Sequence, residues 1–125
     1  MIEAKKKILI VEDDAIINAM YKARFEIDGF AVLTAANGAE GLEAARKEKV
    51  DLVVLDVILP QLDGFAVLEE LKKDPKTKEM PVIMLTSLGT DEDKEKGKTM
   101  GAIDYIIKDS LTPAQVSERI KEILK

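Results

Sequence analysis

The chain has 125 residues, a formal net charge of −5, 46% apolar and 34% charged residues, and neither cysteine nor histidine. A length near the modal domain size needs one core, the composition excludes a disordered chain, and no apolar run approaches a membrane span. Disulfides, thiolate or imidazole metal sites and histidine bases are excluded, and the acidic balance argues against direct binding to nucleic acid or an anionic membrane surface.

Met1–Lys7 carries three lysines but no apolar stretch long enough for a signal peptide, so the expectation is one soluble domain over residues 1–125 that stays in the cytoplasm. Five apolar runs rich in Val, Ile and Leu then recur at Ile8–Val11, Ala31–Ala35, Leu52–Leu55, Val82–Leu85 and Ile103–Ile107, with helix-like stretches between them. That alternation predicts five strands and five helices.

Glu12, Asp13 and Asp14 follow the first run directly and, taken alone, read as a helix cap facing the positive end of the dipole. In the first helix Ile16, Met20, Ala23 and Ile27 share one stripe, expected to face the sheet, and Gly29 after Asp28 is placed to end it in the left-handed region. Asn37, with Glu40 three residues on, starts the second helix. Leu52–Leu55 and Val82–Leu85 lack polar alternation, as in central strands of a parallel sheet covered on both faces. Asp56 ends the third run and Thr86 the fourth; a Thr-Ser pair before a turn often does no more than bond its local backbone. The fourth helix, near Thr90–Met100, is almost entirely charged and is interrupted by Gly97, which costs roughly 1 kcal/mol relative to alanine, so it should be the least stable helix. Gly101 is placed to end it. Lys108 follows the fifth run and by itself reads as a solvated lysine. Thr112, Pro113 and Gln115 form a capping box ahead of a stripe of Val116, Ile120 and Ile123 or Leu124.

The predicted fold is α/β, a doubly wound, flavodoxin-like (βα)5 sandwich with a parallel sheet in the order 2-1-3-4-5. In that order the third strand lies beside the first at the topological switch point, so Glu12, Asp13, Asp56, Thr86 and Lys108 converge beyond the strand ends. Two carboxylates about 4 Å apart repel by roughly 4 kcal/mol at an effective dielectric of 20, so the cluster calls for a proton or a cation. Oxygen-only donors point to Mg²⁺ or Mn²⁺. Three carboxylates, a hydroxyl and an amine at one place make a metal-assisted phosphate site.

Ile-Leu-Ile-Val-Glu-Asp-Asp at 8–14, Asp-Leu-Val-Val-Leu-Asp at 51–56, Pro60 with Asp63-Gly64, Leu-Thr-Ser at 85–87 and Tyr-Ile-Ile-Lys at 105–108 together resemble the receiver domain of two-component response regulators. The resemblance runs from Lys7 to about Leu124. It implies that Asp56 is a phosphoacceptor, served by a partner histidine kinase or phosphotransfer protein. It also implies Mg²⁺ held by Asp13, the Asp56 carboxylate and the Ile58 carbonyl, with Glu12 reaching the metal through water. Lys108 and Thr86 would bind the phosphoryl group, and Tyr105 would swing inward, remodelling the surface of the fourth helix, fifth strand and fifth helix for a downstream protein target. Whether phosphorylation also drives a homodimer through the surface of the last two helices is left open by the sequence. On this reading the chain is not a turnover enzyme and catalyses only its own phosphorylation and dephosphorylation.

Four positions bear on how closely the chain keeps to the usual receiver pattern. Asp109 stands where a proline is usual, so the Lys108–Asp109 peptide is expected trans. Glu12 replaces the commoner Asp. Ile58 and Leu88 are apolar and cannot orient a hydrolytic water, which implies a long-lived phosphoryl group. An aspartyl-phosphate phosphohydrolase would want a second acid where Ile58 stands. A flavin-binding module would want a phosphate-cradling loop in place of Glu12–Asp14. A purely structural interaction domain is the remaining alternative.

Overall fold

The structure is a computed structural model and describes residues 4–125. Met1–Glu3, on which part of the leader reading rests, lie outside that range. The elements follow in strict alternation: β1 (Lys7–Val11), α1 (Ala15–Ile27), β2 (Ala31–Ala35), α2 (Gly38–Lys47), β3 (Leu52–Leu55), α3 (Gly64–Lys73), β4 (Val82–Thr86), α4 (Asp91–Thr99), β5 (Asp104–Ile107) and α5 (Pro113–Ile123). All strand pairs are parallel and the sheet order is β2-β1-β3-β4-β5, as the sequence predicts. Among the described residues no helix is long and apolar enough to cross a membrane.

Alternate residues of each strand feed two cores. Leu9, Val11, Val53, Leu55, Met84 and Tyr105 pack under α2, α3 and α4, while Ile8, Ile10, Val54, Ile83 and Ile106 pack under α1 and α5. Every residue of β3 and β4 is buried, which explains why neither strand shows polar alternation. The fifth strand begins at Asp104; Ile103, 55% exposed, precedes it, with its amide already donating to Val82 O at 2.8 Å.

The helix ends follow their predicted chemistry. Gly29 and Gly101 adopt φ of 98° and 107°, Asn37 accepts the Glu40 amide, and Thr112 and Gln115 close the capping box around α5. In α5, Val116 and Ile120 are fully buried, with Ile123 and Leu124 packed beside them.

The first helix corrects one expectation. Ile16, Met20 and Ile27 are 82%, 45% and 75% exposed, and Ala23 is exposed as well. The face turned to the sheet instead carries Asn18, Tyr21 and Phe25. Two apolar stripes compete on this helix, and the aromatic one wins: burying a large ring contributes about 2–3 kcal/mol, and Phe25 meets Phe30 edge-on at a centroid distance of 6.5 Å and Tyr21 in a tilted pair at 5.8 Å.

The fourth helix buries a single residue, Gly97. Its charges are sorted along the dipole, with Asp91, Glu92 and Asp93 in the first turn and Lys96 and Lys98 in the last, and Thr90 caps it through the Asp93 amide. The Lys96 ammonium sits 4.4 Å from the centre of the Phe65 ring on α3, a cation–π contact that takes the place of the missing apolar stripe.

Candidate functional site

Backbone hydrogen bonds stitch the site together just past the strand ends. The Glu12 amide donates to Ala35 O at 3.0 Å, the Asp56 amide to Val11 O at 3.1 Å, and the Lys108 amide to Thr86 O at 2.9 Å. Because Val11 pairs with Leu55 and Thr86 with Ile107, the residues that follow each strand emerge side by side at one edge of the sheet. Residues 12, 56 and 108, far apart in the chain, thereby become neighbours.

Carboxylate oxygens of Glu12, Asp13 and Asp56 lie within 4.8 Å of one another. Glu12 and Asp56 are 5% and 4% exposed, whereas Asp13 faces solvent. Lys108 bridges the two buried acids, its Nζ 2.5 Å from Glu12 Oε1 and 2.7 Å from Asp56 Oδ2. The other oxygens are also engaged: Asp56 Oδ1 accepts from the Ile58 amide at 3.1 Å and Glu12 Oε2 from the Asp14 amide at 3.1 Å.

Burial pushes the Glu12 carboxyl up, and the Asp56 charge adds to that, against the opposing hydrogen bonds from Lys108 and the Asp14 amide. Burial opposes the charge on Lys108, yet its hydrogen bonds to Asp56 and Glu12 prevail and hold the ammonium above its ordinary range. Three carboxylates against one ammonium leave two negative charges uncompensated, the charge of one divalent cation. An all-oxygen donor set in a chain without His or Cys fits a hard ion such as Mg²⁺, with Glu12, Asp13 and Asp56 as the residues able to hold it. An open depression of about 340 Å³ between α1 and α2, lined by Glu12, Asp13, Asn18, Lys22 and Glu40, borders these carboxylates.

The capping role falls to Asp14 alone, whose Oδ1 accepts from the Ile16 and Ile17 amides, so Glu12 and Asp13 are free of it. Thr86 is fully buried, and its Oγ1 accepts from the Leu88 amide at 3.3 Å, the local bond that a Thr-Ser pair before a turn suggests. Tyr105 is 8% exposed and lies inward, its hydroxyl donating to Leu88 O at 2.7 Å. Burial, with Asp93 and Asp56 nearby, pushes its phenol up to about 12. Leu88 thus bonds Thr86 through its N–H and Tyr105 through its C=O. Ile58 reaches the site by its amide, while its side chain is 51% exposed at the mouth. Among the described residues no peptide is cis, so Lys108–Asp109 is trans as expected.

Asn18 escaped the sequence reading altogether, and Gly64 entered it only within the Asp63-Gly64 pair, with no role of its own. Asn18 is buried, and its Nδ2 donates to Glu12 O at 3.0 Å, fixing the acidic turn from α1; a polar residue in step with Tyr21 and Phe25 was the available signal. Gly64 opens α3 against the end of β3 so closely that a Cβ there would stand 2.1 Å from Asp56 O, so the Asp63-Gly64 pair couples an N-cap to a close approach.

A sequence model described as the response regulator receiver domain matches residues 8–121. The chain is 44% identical over 121 residues to a protein of Pyropia yezoensis named "Probable transcriptional regulator ycf27", covering 97% of this chain and 48% of that protein. It is 41% identical over 120 residues to the alkaline phosphatase synthesis transcriptional regulatory protein PhoP of Bacillus subtilis, covering 96% of this chain and 49% of PhoP. The chain therefore spans about half the length of these curated relatives. Among solved structures, a CheY-like receiver domain protein of Methanospirillum hungatei aligns with a TM-score of 0.89 at 35% identity, over 97% of this chain and 94% of that one. The chemotaxis protein CheY4 of Vibrio cholerae aligns with a TM-score of 0.89 at 30% identity, over 96% of this chain and 99% of its own.

Proposed function

This chain belongs to the response regulator receiver domain family, the signalling modules of two-component systems, and on that footing we propose that it is a phosphorylation-dependent switch whose acceptor is Asp56. The observation that carries this reading is the Lys108 ammonium bridging Glu12 and Asp56 beside Asp13, which gathers a nucleophile, a cation and spare ligand charge at one point. An Asp56 carboxylate oxygen attacks the phosphorus of a phosphohistidine on a histidine kinase or phosphotransfer protein; the N–P bond breaks, its electron pair stays on the imidazole, and an acyl phosphate forms.

Glu12, Asp13 and Asp56, with the Ile58 carbonyl, would hold Mg²⁺ or Mn²⁺. When bound, the ion neutralises charge on the phosphoryl oxygens. Lys108 moves from one of its two carboxylates onto a phosphoryl oxygen. Thr86 turns its hydroxyl to the same group, which requires it to release the Leu88 amide, and that release reaches Tyr105 through the Leu88 carbonyl. The surface of α4, β5 and α5 then presents a changed face to a downstream protein target or to a second copy of the chain. Residues 1–125 act as one receiver unit in the cytoplasm, without direct contact to nucleic acid or membrane. The aliphatic Ile58 at the mouth weighs against an aspartyl-phosphate phosphohydrolase, and the bridged acid–lysine cluster weighs against a purely structural interaction domain.

Incubation with acetyl phosphate, with and without Mg²⁺, followed by intact mass of wild type and Asp56→Asn tests the reading. One phosphoryl adduct that requires both Mg²⁺ and Asp56 is expected. Equal labelling of Asp56→Asn, or none in wild type while Mg²⁺ still binds, overturns it.

A further inference from the structure

We propose that Gly97 is a positioning residue for Tyr105: the missing side chain is what lets the ring lie inward while α4 stays docked on the sheet. Gly97 is the one buried residue of a helix whose other side chains are charged or polar. A Cβ on it would stand 2.8 Å from Tyr105 Cδ2 and 3.2 Å from Cε2, while Met84 Cγ at 3.6 Å is in ordinary contact. The ring is held at both ends. Its backbone is held in β5 opposite Met84, and its hydroxyl is tied to Leu88 O at 2.7 Å. Filling the Gly97 notch therefore forces one of two movements: Tyr105 leaves, or α4 lifts. Glycine in the middle of a helix costs helical propensity, and here the cost secures the space that the ring occupies.

A side chain at position 97 would set the inward ring against the docked helix, and glycine removes that conflict. The inference rests on the switch reading only for its signalling meaning. The packing itself is testable without a phosphoryl group.

The test is a thermal double-mutant cycle of Gly97→Ala and Tyr105→Ala, with folding checked by circular dichroism. Tyrosine quenching by acrylamide is read in a Tyr21→Phe background, where Tyr105 becomes the sole tyrosine in a chain that has no tryptophan. With Tyr105 present, Gly97→Ala should lower Tm by about 4 °C and at least double the quenching constant; with Tyr105→Ala it should raise Tm by about 4 °C through helical propensity alone. The same Tm shift in both backgrounds, or unchanged quenching, overturns the proposal. Loss of acetyl phosphate labelling in wild type would instead count against the switch reading, and the coupling measured between Gly97 and Tyr105 would stand regardless.

Discussion

Replacing Lys108 with methionine isolates the electrostatics of the site. The side chain keeps its length and loses the ammonium that lies 2.5 Å from Glu12 and 2.7 Å from Asp56. Two carboxylates 95% or more buried then face each other across at most 4.8 Å. At an effective dielectric of 20 that separation corresponds to about 3 kcal/mol of repulsion, and removing one partner of a buried ion pair costs about 3–5 kcal/mol in general. Lys108 itself is 17% exposed, so water recovers part of the loss and the lower figure applies. With m near roughly 1.5 kcal/mol/M, the urea midpoint in EDTA at pH 7.5 should fall by about 2 M. Mg²⁺ should reverse most of this loss, because the ion no longer competes with an internal cation, and its affinity should rise roughly tenfold, or about 1.4 kcal/mol. Urea melts across a Mg²⁺ titration read both quantities. A Lys108→Met variant with the wild-type midpoint in EDTA and the wild-type Mg²⁺ affinity would refute the account of Lys108 as the internal counter-ion.

Asp14→Ala should cost about 1 kcal/mol by urea denaturation and leave Mg²⁺ affinity within a factor of two, since Asp14 caps α1 and Glu12 and Asp13 do not. The Tyr105 phenol is raised above its unfolded value, so its contribution is complete below about pH 10 and is lost as pH climbs toward about 12; urea midpoints should fall across that window, and Tyr105→Phe should flatten the fall. Ile58→Ala and Leu88→Ala should each shorten the life of the acyl phosphate, followed as loss of the phosphoryl mass after Mg²⁺ chelation and buffer exchange, and the double variant should shorten it further. An unchanged decay in the double variant would show that neither side chain shields the group.

The sheet was readable because its signal is physical and local. Val82–Leu85 is an unbroken apolar run, and only a strand covered on both faces has use for one. The acidic residues and Lys108 were readable for the same reason, since Glu12, Asp56 and Lys108 each come first after an apolar run and Asp13 follows Glu12 directly. The face of α1 was not, because Ile16, Met20, Ala23 and Ile27 keep as good a helical period as the aromatic stripe, and periodicity does not weigh ring size. Nor was the anchoring of α4. Lys96 over Phe65 and Gly97 under Tyr105 join residues of separate elements through a cation–π contact and an absence of side chain, and neither leaves a periodic trace. The bridge from Lys108 to both carboxylates depends on strand register, which composition does not carry.

The double duty of the Leu88 peptide also bears on how this molecule varies under mutation. Its N–H and C=O bond the threonine and the tyrosine, yet neither group is encoded by the identity of residue 88. An alanine scan would cross the position and report only on leucine packing, and drift at that codon spares the linkage unless proline removes the N–H. Backbone chemistry is what reaches it. An amide-to-ester replacement at residue 88 deletes the donor to Thr86 and weakens the carbonyl of residue 87 rather than the one facing Tyr105, so it breaks one half of the connection while both partner side chains stay in place.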